Sequence, residues 1–300
     1  MGRGAGGPNM VGDGRGEHRV NPERPVSPSR APADPRELAR EIAQDARARG
    51  GLLIFTDFER MLCLGATKGR GAGLPLLVRG ALVALASTPA TGVVVNSGRD
   101  VCDLESHVNV PGLIYAGCRG LQVRGAGMAF CHPGAARLRP VLPVLAHELS
   151  QCLVALPGVE VEIKELGVTV HARRADPSAV AVIVAQAEAL RRTSAGDFRV
   201  WLSESTVDLF PDVEWRRGSS ALWILVHWAH EGRGQPAVVY LGHDHTDEDA
   251  YRVLRQHGYA VHVGPPTTES AASCWVADPA AAFDLLAQIA LAWSVRPAGV

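Results

Sequence analysis

Between Gly51 and Gly264 short apolar runs alternate with longer stretches in which apolar residues recur every three or four positions. The runs "GLLIFTDF", "GVVVNSG", "GLIYAG", "VTVHAR", "PAVVYLGHD" and "YAVHVG" predict strands. "GLPLLVRGALVALAST", "DVCDLESHV" and "TDEDAYRVLRQHG" predict helices between them. Continuous apolar runs suit strands covered on both faces, and their alternation with helices predicts an α/β fold with a doubly wound parallel sheet.

One section departs from this rhythm. From about residue 125 to 211 a helical stretch ("PVLPVLAHELSQCLVAL") precedes a hairpin pattern ("GVEVEIKELGVTVHARR"), a second helix ("PSAVAVIVAQAEALRR") and two strands in "DFRVWLSESTVDLFP". It reads as an inserted α+β cap over a core formed by residues 36–124 and 212–300. "ALWILVHWAHEG" reads as a helix with Trp223 and Trp228 in its core. Order begins near "ADPRELAREIAQDARARG", with Asp34 or Pro35 starting a helix and Gly50 ending it. Residues 1–35 are dense in Gly, Pro and Arg, and are expected to form a disordered tail that could recruit a partner.

Composition narrows the class. The formal net charge of −1 over 300 residues gives no global field toward nucleic acid or an anionic membrane, and the N-terminal arginines are too dispersed to read a groove. Six cysteines without a CxxC pair argue against a zinc ribbon or disulfide framework, and read as reduced thiols in the cytoplasm. Neither a secretory signal nor a membrane-spanning run is expected.

Three loops at the carboxyl ends of predicted strands carry the candidate chemistry, where an open parallel sheet binds its ligands. They are Asp57 and Glu59 after the first strand, Ser97, Gly98 and Arg99 after the second, and Gly242–Asp249 ("GHDHTDED") after a later one. An aspartate nucleophile, a second carboxylate two residues on, a hydroxyl with backbone amides, a basic residue and a distal acidic loop make a phosphoryl-transfer set. Ser97 and Arg99 could alternatively cap the next helix, and His243 and His245 could form a transition-metal site or simply be solvated.

The layout resembles the haloacid dehalogenase superfamily and, in detail, the trehalose-6-phosphate phosphatase family. The segments that carry the likeness are "VVVNSGRDVCDLESHV", "PGLIYAGCRGLQV", the cap hairpin, and "VYLGHDHTDEDAYRVL". The resemblance implies Asp57 as nucleophile, Glu59 as general acid/base, and Arg217 of "VEWRRGSS" at the position of the family lysine. It implies phosphate contacts from Ser97, Gly98 and Arg99, and substrate contacts from Arg119, Lys164, His171, Arg173 and Asp208, with Glu204 at the position of a family lysine. Magnesium is the implied cofactor, with Asp57, His243, Asp244 and Asp247 at the metal positions.

Several of these positions depart from the family pattern. Glu59 is one methylene longer than the usual aspartate, and Arg60 and Met61 replace Gly-Thr at a sharp turn. Arg217 replaces lysine, and His243 replaces a magnesium-ligating aspartate, which weakens or removes a site that wants hard oxygen donors. Two expectations follow: a phosphatase acting on trehalose 6-phosphate or a related sugar phosphate in trehalose biosynthesis, or a catalytically impaired homologue that binds a sugar phosphate in a metal-poor, arginine-rich pocket and has a regulatory role.

Overall fold

The computed structural model describes residues 31–59, 61–62, 74–203, 206–266 and 270–294. Residues 1–30 of the expected tail, and Arg60 and Glu204, lie outside the described residues. Helix α1 (Pro35–Arg49) begins where the Asp34 carboxylate accepts the N–H groups of Arg36 and Glu37, and Gly50 ends it at a φ of 80°. Leu38, Ile42 and Ala46, one face at helical spacing, are buried.

The chain then builds β1 (Leu52–Asp57), α2 (Leu76–Ser87), β2 (Thr91–Asn96), α3 (Val101–Val108) and β3 (Ile114–Gly117), followed by the pair β4 (Gln122–Gly125) and β5 (Met128–Cys131). Next come α4 (Pro133–Ala136), α5 (Leu142–Cys152), β6 (Glu160–Lys164), β7 (Gly167–His171), α6 (Ala179–Thr193), β8 (Phe198–Leu202) and β9 (Thr206–Pro211). The return passes through α7 (Arg217–Trp228), β10 (Ala237–Gly242), α8 (Glu248–Leu254), β11 (Gly258–Val263), β12 (Cys274–Val276) and α9 (Pro279–Ser294).

An eight-stranded sheet runs β12-β11-β10-β1-β2-β3-β4-β5, parallel from β12 to β3 and antiparallel at β4 and β5. Side chains alternate across it as a period of two requires. Leu52, Ile54, Val93 and Val95 join the apolar cluster beneath α1, α2 and α9. Leu53, Phe55, Val94 and Tyr240 join the opposite cluster beneath α7 and α8. Each such fully buried side chain contributes about 1.5–3 kcal/mol. Gly92 in β2 is required by close approach, since a Cβ there would stand 2.5 Å from the Trp228 ring and 2.7 Å from Leu53.

The β4–β5 pair corrects the expected domain limit. The sequence reading began the insert at residue 125, but glycines at 125 and 127 turn the chain back and β5 completes the core sheet through Cys131. The insert proper carries a four-stranded antiparallel sheet, β6-β7-β9-β8, backed on its apolar face by α5 and α6. The other face presents a cross-strand row, Glu162 opposite Thr169, Thr169 opposite Asp208, and Asp208 opposite Trp201.

Candidate functional site

β1 lies between β10 and β2, and the chain leaves β1 for α2 on one face of the sheet but leaves β10 for α8 on the other. That is the switch point at which parallel strands open a crevice beyond their carboxyl ends. Register places Asp57 beside Asn96 and Thr56 beside Leu241, so the three polar loops meet there. Asp57 is buried, with Oδ2 accepting the backbone N–H of Glu59 at 3.1 Å. Its Oδ1 accepts Arg217 Nη1 at 2.9 Å, and the same Nη1 donates to Asp247 Oδ1 at 2.8 Å.

Asp247, fully buried, is saturated. Oδ1 also accepts the Tyr240 hydroxyl at 2.9 Å, and Oδ2 accepts the backbone N–H groups of His243 and Asp244 at 2.9 and 3.3 Å. Burial pushes the Asp57 carboxyl up from 3.8 to about 6, assisted by Glu59 and Asp247 and opposed by Arg217. Burial also works against the Arg217 charge, but Asp247 and Asp57 more than offset it and hold the guanidinium well above its ordinary range.

The Ser97 loop meets a carboxylate from its own chain. Ser97 Oγ donates to Glu59 Oε1 at 2.7 Å and accepts the Arg99 backbone N–H at 3.0 Å. Arg99 Nε reaches the same Glu59 oxygen at 3.2 Å, and its Nη1 pairs with Asp103 at 2.7 Å. Burial opposes the Arg99 charge, while Asp103 and Glu59 raise its pKa. The hydroxyl and guanidinium to which the resemblance assigns the phosphoryl oxygens thus hold Glu59, whose extra methylene lets it span from the first loop to the second.

The cap closes on these loops. Lys164 Nζ donates to Gly98 O at 3.3 Å, and the Glu165 N–H donates to Asp100 Oδ1 at 3.0 Å. Arg119 Nη2 pairs with Asp208 Oδ2 at 2.9 Å, while Asp208 Oδ1 accepts Thr169 Oγ1 at 2.7 Å. His171 Nε2 lies 2.7 Å from Glu162 Oε2 on the exposed part of the cap sheet, and Arg173 is exposed just past β7. The sequence-expected residues therefore form a tight group (Asp57, Glu59, Ser97, Arg99, Arg217 and Asp247, with His243 and Asp244 bonded to Asp247 through their backbone N–H groups), a cap-to-core group (Gly98, Lys164, Arg119, Asp208), and two outlying positions (His171, Arg173). Met61 is fully buried in the core rather than facing the loops.

The implied magnesium ion does not fit this donor set. Magnesium demands near-octahedral oxygen coordination, yet both Asp247 oxygens are occupied by donors, Asp57 holds Arg217 and Glu59 N, and Asp244 Oδ1 accepts Thr246 twice. His243 offers an imidazole whose buried Nδ1 has no hydrogen-bond partner among the described residues. Arg217 places a guanidinium between the two carboxylates, at the position that the resemblance gives to the family lysine.

Two positions escaped sequence reasoning. Tyr240 anchors Asp247 from within β10, and its only signal was a hydroxyl inside an otherwise apolar run. Asp103, one helical turn beyond Arg99, orients the guanidinium, a spacing legible as an i,i+4 pair.

Known proteins resemble this chain in sequence and in fold. The family model described as trehalose-phosphatase matches residues 75–279, from just before α2 to the start of α9 and beginning after the Asp57 loop. The trehalose-phosphate phosphatase of Mycobacterium tuberculosis (strain H37Rv) is 39% identical over 189 residues, covering 62% of this chain and 48% of the relative. That of Mycobacterium avium (strain 104) is 39% identical over 180 residues, covering 59% and 46%. The chain spans about half the length of the curated relatives it matches.

Among solved structures, the C-terminal domain of Candida albicans trehalose-6-phosphate phosphatase aligns with a TM-score of 0.71 at 20% identity, covering 88% of this chain and 99% of that one. The C-terminal domain of the Candida albicans trehalose synthase regulatory protein aligns at 0.62 and 17%, covering 82% and 97%. These likenesses give the fold, an α/β core with an inserted cap, while the family match runs through the Ser97 loop, the whole cap, Arg217 and the Asp247 loop. On that continuous match, the chain belongs to the trehalose-phosphatase family.

Proposed function

We propose that this chain binds a sugar phosphate of the trehalose 6-phosphate class between the Asp57 and Ser97 loops and the polar face of the cap sheet, and hydrolyses it far more slowly than a magnesium-dependent phosphatase. The observation that carries this reading is the double bridge of Arg217 Nη1 to Asp57 and Asp247, which places a guanidinium against the nucleophile position. Glu59, tied to Ser97 and Arg99, must leave before phosphoryl oxygens can take those donors. A pocket rich in guanidinium groups stabilises a bound dianion well but adds little that is specific to the transition state.

Residual turnover would proceed through Asp57. Its carboxylate attacks phosphorus as the bond to the sugar oxygen breaks, Glu59 protonates that oxygen, and water then releases phosphate from the aspartyl ester with Glu59 taking the proton. The retained Asp57, in register beside the Ser97 loop, favours a second reading, a competent phosphatase of trehalose biosynthesis. A cytoplasmic setting belongs to either reading. No helix among the described residues is long and apolar enough to cross a membrane.

Phosphate release from trehalose 6-phosphate with magnesium, manganese or EDTA separates the two, with Asp57→Asn as blank and thermal shift read in the same samples. The proposal expects stabilisation by the sugar phosphate in EDTA with release near the blank. Rapid release that depends on magnesium and on Asp57 overturns it in favour of the competent enzyme.

A further inference from the structure

A second cluster of guanidinium groups lies where the chain returns from cap to core. A hollow on this seam is walled by Arg119 from the turn after β3, Arg199 and Trp201 from β8, Phe210 from β9, and Trp215 and Arg216 ahead of α7. None of Asp57, Glu59, Ser97 and Asp247 lines it. Its walls are fixed: Trp215 Nε1 donates to Gly120 O at 2.7 Å, and Arg119 adopts a left-handed φ of 60° between two further positive-φ residues. The Arg119 guanidinium carbon lies 4.8 Å from the Trp201 ring centre and 5.9 Å from that of Phe210, and Arg199 covers Trp201 at 5.7 Å.

The charges around this hollow do not balance. Arg119 pairs with Asp208 and Arg199 with Asp212, while Arg216 is exposed and forms no ion pair with a described residue. Asp208 is also engaged by Thr169. Arg119 Nε is buried and finds no acceptor among the described residues. A buried N–H without an acceptor is costly, and the uncompensated charge that an oxyanion from the open side would meet is that of exposed Arg216 beside Arg199.

We propose that this hollow, which adjoins the Ser97 loop through the Arg119 N–H on Ser97 O but is not lined by it, is a second oxyanion site that takes a phosphate-type anion between Arg119, Arg199 and Arg216. Trp201 and Trp215 provide apolar walls that accept the sugar of a phosphomonoester as well as inorganic phosphate. Because the walls come from core, cap and return segment, an anion bound there ties the cap to the core. The site acts on the cap rather than on the scissile bond.

Equilibrium dialysis of the full chain with radiolabelled inorganic phosphate counts the sites. Two sites are expected for the parent protein. Ser97→Ala removes one, and the pair Arg199→Gln with Arg216→Gln weakens the other at least tenfold, Arg216→Lys retaining most of it. Both arginines are partly or fully exposed, and an unchanged melting midpoint without phosphate shows that the variants fold. Competition by glucose 6-phosphate against glucose tells whether a sugar adds to the binding of the bare anion.

A single site that survives Arg199→Gln/Arg216→Gln and disappears in Ser97→Ala overturns the proposal and leaves Arg119–Asp208 as a structural bridge only. A single parent site that Ser97→Ala leaves intact and Arg199→Gln/Arg216→Gln weakens would instead count against the proposed function while leaving the seam site standing.

Discussion

Arg217 holds two buried carboxylates on one nitrogen, so its removal leaves Asp57 and Asp247 facing each other without compensation. Arg217→Ala is expected to lower stability by about 3–5 kcal/mol near neutral pH, read by urea unfolding, since breaking a buried pair strands a charge. Asp57 behaves differently. With its pKa raised from 3.8 to about 6, the folded chain keeps a proton between those values that the unfolded chain has released. That stabilising protonation is complete below the unfolded value, is lost as pH rises through about 6, and is absent above it. Asp57→Asn should therefore flatten the stability profile across that window and exceed the parent by about 1–3 kcal/mol at pH 7.5. A parent profile that instead rises through the window would contradict the burial-dominated account. Glu59→Ala frees Ser97 Oγ and Arg99 Nε, and inorganic phosphate should bind about tenfold more tightly, a difference of about 1.4 kcal/mol. Unchanged affinity in a calorimetric titration would mean that Glu59 does not compete with the anion.

Among the elements, α7 decides where that guanidinium stands. Its first residue is Arg217, a cation at the helix end that disfavours positive charge, and Asp249 offsets this by accepting the Gly218 N–H at 2.9 Å from the start of α8. Asp249→Ala should cost about 1 kcal/mol in chemical unfolding, with Asp249→Asn retaining most of it. If alanine and asparagine behave alike and leave stability unchanged, the contact carries no weight. The central strands were legible from sequence because β1, β2 and β10 are buried on both faces and read as unbroken apolar runs. The cap hairpin was legible from its alternation. The β4–β5 pair was not: its strands have four residues each, too few to show a period, and its turn is the short Gly125-Ala126-Gly127. The three-residue edge strand β12 was equally short of signal. In the site, the meeting of three loops followed from strand order. The capture of Ser97 by Glu59 did not, because it depends on the reach of one side chain across two loops.

At the scale of the whole molecule, the contact between cap and core runs through Asp100. It stands at the N-cap of α3, where a carboxylate usually bonds its own helix, yet it makes no such bond. Its Oδ1 instead accepts the Glu165 N–H from the β6–β7 turn and the Cys118 thiol, both at 3.0 Å. With Lys164 on Gly98 O and Arg119 on Asp208, this fixes one end of the cap sheet over the Ser97 loop. A hydrogen bond to a charged acceptor contributes about 1.5–3 kcal/mol, so losing it should raise local opening about tenfold or more. Asp100→Ala is thus expected to speed amide exchange at Glu165–Gly167 by about that factor while β1 and β2 amides keep their protection, and Asp100→Asn should fall between. Because α3 loses no side-chain cap in either variant, its own exchange should stay unchanged. Faster exchange throughout α3 and β2 would mean that Asp100 supports the core rather than the closure of the cap upon it.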